Sequence, residues 1–93
     1  MLVVGLSQVD TFCATRRETE APIRATLAII SRAEWRSTDD VKRQFGAAVR
    51  VESPRNIHLE MAEHGVRIDM DVDFRQSLVK LRLVPIQKRK VAN

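Results

Sequence analysis

The chain has 93 residues, with 16 Lys+Arg against 12 Asp+Glu and a net charge of +4. That length builds one modest core and predicts a single domain over residues 1–93. A single cysteine, Cys13, excludes an internal disulfide and the usual four-ligand zinc site, and fits a reducing cytoplasm.

In chain order, Met1–Val4 reads as a short strand. No basic segment precedes it and no long apolar stretch follows, so no signal peptide is predicted. Ser7 opens a Ser-x-x-Asp pattern that ends at Asp10, and Val9, Phe12 and Cys13 follow at helical spacing. This predicts a helix at about Ser7–Arg16. A second helix starts at Thr19, with Glu20 and Pro22 in its first turn, and ends near Ala33. Its inner face is Ile23, Leu27, Ala28 and Ile30. The apolar run Leu27–Ile30 is far too short to cross a bilayer. Ser37–Asp40 repeats the start pattern, and Gly46 is placed to end a short helix over Thr38–Phe45 in a left-handed conformation. Trp35, between the second and third helices, is expected to pack over both.

From residue 48 the hydrophobic period becomes two. Ala48–Val51 is one strand. Ile57, Leu59 and Met61 alternate with His58 and Glu60. Val66, Ile68, Met70 and Val72 alternate with Arg67, Asp69, Asp71 and Asp73. Val79, Leu81 and Leu83 alternate with Lys80 and Arg82. Such alternation marks a sheet with one dry and one polar face, joined by turns at Ala62–Gly65 and Phe74–Ser77. Parity allows two registers for the last hairpin. One sets Asp69 opposite Arg82 and Asp71 opposite Lys80; the other sets Arg67 opposite Arg82. Cross-strand charge favours the first, and both put Arg67, Lys80 and Arg82 on the polar face. The predicted class is α+β, with two N-terminal helices and a short third packed on one face of an antiparallel sheet.

The segment Arg32–Ala48 resembles the HigB family of bacterial toxins, mRNA interferases with a RelE-like fold. It carries Ala33-Glu34-Trp35, Asp40-Val41-Lys42 and Phe45-Gly46. The resemblance continues in His64–Phe74 and Val79–Val84, and spans roughly residues 1–84 by order of elements. It implies the toxin of a type II toxin–antitoxin pair, a cytoplasmic endoribonuclease that cuts translated mRNA without a metal or other cofactor. It also implies an antitoxin partner with a helix-turn-helix domain, and ribosome and mRNA as further partners. By the same resemblance, Arg67 and Arg82 match the family's strand arginines and Lys42 its helix lysine. The chain departs from the family in three places. Val66 stands where an aromatic is usual, Pro85–Lys90 replaces a Thr-His and Tyr-Asp ending, and the chain has no tyrosine. A relative that keeps the fold and binds RNA, ribosome or antitoxin without cutting is the alternative.

Attack of a ribose 2′-OH on the adjacent phosphate needs a base, a proton donor and cations for the phosphate. Arg67 and Arg82 are the candidate phosphate clamp, and His64, in a turn beside Arg67, is the candidate acid or base. Lys42, Lys80, Lys88, Arg89 and Lys90 are candidate RNA contacts, the last three in a basic tail after residue 85. The bland reading pairs Arg67 and Arg82 with Asp69 and Asp71 on a solvated face. Asp69, Asp71 and Asp73 share that face. Residues two apart on a strand lie about 7 Å from each other, so ion pairing is favoured over one shared metal.

Overall fold

A computed structural model describes residues 1–88. Its elements are β1 (Leu2–Val4), α1 (Leu6–Thr15), α2 (Glu20–Arg32), α3 (Thr38–Phe45), β2 (Val49–Val51), β3 (Asn56–Met61), β4 (Val66–Asp73) and β5 (Leu78–Pro85). The helices and strands lie where periodicity puts them, to within a residue or two at each end.

The helix starts work differently from the sequence expectation. Gly5, at φ 101°, precedes α1, and no side chain caps that helix. Ser7 therefore lies inside it, its carbonyl accepting from the Thr11 hydroxyl. Asp10 instead reaches Arg24 of α2 at 2.8 Å, an exposed tie between two helices. Ser37 also makes no side-chain cap. The Asp40 carboxylate reaches back to the Arg36 N–H at 2.8 Å and pairs with Arg43. The Arg36 N–H, with help from Arg43, holds the Asp40 carboxyl below its ordinary value. Gly46 has φ 62° but ψ −133°, so it ends α3 outside the left-handed helical region. Gly65, at φ 71° and ψ 28°, does adopt that region before β4.

The sheet corrects the antiparallel expectation. Its order is β1-β5-β4-β3-β2. β2 to β5 pair antiparallel, but β1 runs parallel to β5, with Leu2 beside Leu78 and Val4 beside Lys80. Parallel neighbours need a long connection, and here it includes all three helices. Gly5 permits the exit from β1, because a Cβ there would sit 2.9 Å from the Leu81 carbonyl oxygen. Hydrogen cannot clash where a methyl would, so glycine alone fits.

The core lies between the sheet and the helical layer. Val9 and Cys13 of α1, Ile23, Leu27 and Ile30 of α2, and Val41 of α3 meet Ile57, Leu59, Ile68, Met70 and Val79 of the sheet. Ala28, expected on the inner face of α2, is exposed, because the buried stripe is only Ile23, Leu27 and Ile30. Trp35 is buried, its indole N–H donating to Gln44 Oε1 at 2.7 Å and its ring edge-on to Phe45.

Candidate nucleic-acid interface

β4 and β5 pair in the register that sets Asp69 opposite Arg82 and Asp71 opposite Lys80. β3 sets His58 opposite Asp69 and Glu60 opposite Arg67, and β2 sets Arg50 opposite His58. Paired residues share a face. Arg50, His58, Asp69 and Arg82 therefore form one row across four strands, between a Glu60–Arg67 row and an Asp71–Lys80 row. The core residues occupy the alternate positions, so the helices lie behind this face and leave it open.

Asp69 is the hub of the row. Arg67 grips it with two donors, Nε to Oδ1 at 2.7 Å and a terminal guanidinium nitrogen to Oδ2 at 3.1 Å. Arg82 lies 3.6 Å from Oδ2, and His58 Nε2 lies 3.5 Å from Oδ1. On its other side, His58 Nδ1 is 3.5 Å from Glu52 Oε1 and is buried without a hydrogen bond. The Asp69 side chain is 15% exposed and that of Arg82 71%. Arg67 is thus committed to a partly buried, two-pronged ion pair. Arg82 faces solvent with a loose partner, the kind of pair worth little to stability and easily exchanged for another anion.

Burial pushes the Asp69 carboxyl up. The Arg67 hydrogen bonds and the charges of His58, Arg67 and Arg82 outweigh it, and its pKa ends below the ordinary value. The hydrogen bonds from Asp69 in turn raise Arg67, which stays cationic. A carboxyl lowered by folding contributes stability that is present above its unfolded value, about 3.9, and is lost as pH falls through the folded value. Urea melts of wild type should therefore weaken below about pH 4. Asp69→Asn should be less stable than wild type near pH 7 by about 1–2 kcal/mol. It should close part of that gap on acidification. Parallel stability curves for the two proteins down to pH 2.5 would dismiss the ion pair as a contributor.

The other candidates are placed as follows. Lys80 is exposed on the open face and forms no ion pair among the described residues. Lys42 is exposed on α3, in the helical layer, away from that face. His64 sits in the turn between β3 and β4, with Nε2 3.6 Å from Glu63. It lines a cavity with Thr26 and Phe45 of the helical layer, so the structure does not bring it to the Arg67–Arg82 row. Lys88 is exposed and lies beside the Gly65 turn, where the Ile86 N–H bonds the Gly65 carbonyl at 3.0 Å. Arg89 and Lys90 lie outside the described residues.

The three aspartates of β4 have separate tasks. Asp69 holds Arg67, Asp71 holds Arg55 at 3.2 Å, and Asp73 accepts the N–H groups of Arg75 and Gln76 at 3.1 Å in the following turn. Among the described residues no group of three His, Cys, Asp or Glu is placed to hold a metal ion. Nor is any described helix long and apolar enough to cross a membrane.

Sequence reasoning passed over His58 and Glu52. The signal was present in part, since parity puts His58 on the same face as Glu60. Its neighbours follow only from the β2–β3 and β3–β4 registers.

Together these observations define the class: an α+β fold of three helices on one face of a five-stranded mixed sheet whose other face is charged and open. No protein-family model matches the chain, and no curated protein matches it.

Proposed function

We propose that this chain is a HigB-like toxin of a type II toxin–antitoxin pair, RelE-like in fold, that acts in the cytoplasm on translated mRNA. The supporting observation is that Arg67, Lys80 and Arg82 share one helix-free sheet face, with Lys80 and Arg82 exposed on it. The motifs of Arg32–Ala48 and the order of elements agree with that reading.

In the reaction, a ribose 2′-hydroxyl loses its proton and its oxygen bonds to the adjacent phosphorus, while the bond from phosphorus to the 5′-oxygen breaks and that oxygen takes up a proton. The products are a 2′,3′-cyclic phosphate and a 5′-hydroxyl. Arg82 and Lys80 receive the phosphate, and its charge competes with Asp69 for the fork of Arg67. The same basic face attracts the acidic segments of an antitoxin carrying a helix-turn-helix domain.

A second reading, binding without cleavage, is favoured by one arrangement. Asp69 already fills the Arg67 fork, His64 Nε2 lies 3.6 Å from Glu63, and no tyrosine exists in the chain.

Purified protein added to a bacterial translation reaction should cut the message, leave cyclic-phosphate ends, and be indifferent to a metal chelator. Expression in a bacterial host should arrest growth. Intact message at micromolar protein, with harmless expression but retained RNA or partner binding, would replace the first reading by the second. Neither cleavage nor binding would remove both.

A further inference from the structure

At the Asp71–Lys80 end of the sheet, a cleft opens between the β2–β3 connection, the β4–β5 turn and the start of α3. One cavity of about 660 Å³ is lined by Pro54 and Arg55 from the β2–β3 connection and by Phe74 and Arg75 from the β4–β5 turn. A second, of about 450 Å³, lies against the same Pro54 and Phe74 and continues to Arg36 and Ser37 at the start of α3. Phe74 is partly buried, packed against the core and lining both cavities.

The walls are held by their own hydrogen bonds. The N–H groups of Glu52 and Ser53 donate to the Asn56 carbonyl, the Val72 N–H donates to the Arg55 carbonyl, and Asp73 accepts from the turn. The nearby carboxylates are already engaged, Asp73 by the turn and Asp71 by Arg55. Arg36 and Arg75 form no side-chain ion pair among the described residues. The cleft therefore combines an aromatic wall, a proline and uncommitted guanidinium groups within a preformed volume large enough for a nucleotide. Basic side chains that track a backbone beside an aromatic that stacks a base are the recurring elements of single-strand recognition.

We infer that this cleft is a nucleotide subsite for single-stranded RNA. It takes a base against Phe74 and Pro54 and its flanking phosphates on Arg75 and Arg36. The inference rests on the RNA reading above and extends it along the strand. Leu78 pairs with Asp73, which lines the first cavity, and β5 covers about 13 Å from Arg82 to Leu78. A strand whose phosphate meets Arg82 thus passes Lys80 and enters the cleft a few nucleotides away.

The test is binding of the full chain to a fluorescent 2′-O-methyl RNA of about ten nucleotides, which cannot be cut because its nucleophile is blocked. Arg75→Ala and Phe74→Leu should each weaken binding about five- to thirtyfold. Arg75→Ala should also lower the salt slope by about 0.7. Arg17→Ala, in the helical layer, should stay within twofold. Arg75 is exposed, so its variant keeps the fold even if Phe74→Leu loosens the turn.

If Arg82→Ala weakens binding while both cleft variants bind as wild type, the subsite is overturned and the RNA reading stands. If wild type binds no RNA, both fall. If polyglutamate binding is lost in Arg75→Ala while RNA binding is kept, the cleft belongs to an acidic protein partner and the inference is overturned.

Discussion

Arg67→Ala combined with Arg82→Ala should lower mRNA cleavage by at least about 100-fold, because cations aimed at a phosphate that gains charge in the transition state each supply several kcal/mol there. The single variants separate chemistry from folding. Arg82 is 71% exposed and its contact with Asp69 is 3.6 Å long. Its removal should cost the fold almost nothing, and Arg82→Ala should melt within a degree or two of wild type while losing at least tenfold in activity. Arg67 is different, since it holds Asp69 with two hydrogen bonds in a partly buried site. Arg67→Ala strands that carboxylate and should lose both stability and activity. Arg67→Lys keeps the charge and loses the fork, so it should recover stability better than it recovers activity. Full cleavage by Arg82→Ala, measured by primer extension on a translated message, would mean that the open face is not where the message is cut.

The largest effect on stability should come from Ile68→Ala. Ile68 lies in the middle of β4, between Leu59 and Leu83 on its neighbours, and is fully buried beneath the helices. Removing its branched side chain costs about 3–4 kcal/mol, part transfer and part cavity. A chain of this length has only about 5–14 kcal/mol in total. Thermal unfolding should therefore move down by about 15–25 °C, and the variant should unfold at markedly lower urea with an unchanged slope. Leu2→Ala, on the exposed side of the edge strand, should change little. A small shift for Ile68→Ala and a large one for Leu2→Ala would show that the dry face has been assigned to the wrong side of the sheet.

The two predictions draw on different parts of the sequence. The dry face is written in strict alternation, and each strand position can be assigned inside or outside from its immediate neighbours. The polar face needs more. Parity left two β4–β5 registers and charge chose between them, because the other would set Arg67 against Arg82. His58 and Glu52 join the cluster only once β2 and β3 are laid beside β4, a pairing that no local pattern encodes.

Local pattern settles the elements and most of their inward residues: Ile23, Leu27 and Ile30 on α2, Ile68 and Met70 on β4, and the cofacial Arg67, Lys80 and Arg82. These depend on interactions between residues a few positions apart, or across one short turn. Four features come from the folded chain as a whole: β1 runs parallel to β5, Gly5 passes against the Leu81 carbonyl, Asp69 fills the Arg67 fork, and His64 lines a cavity with the helical layer. Apart from the fork, which joins neighbours on one strand, these contacts bring together parts of the chain far apart in sequence. All four are fixed by which competing partner wins once the whole core has closed, and that choice leaves no periodic trace in the sequence.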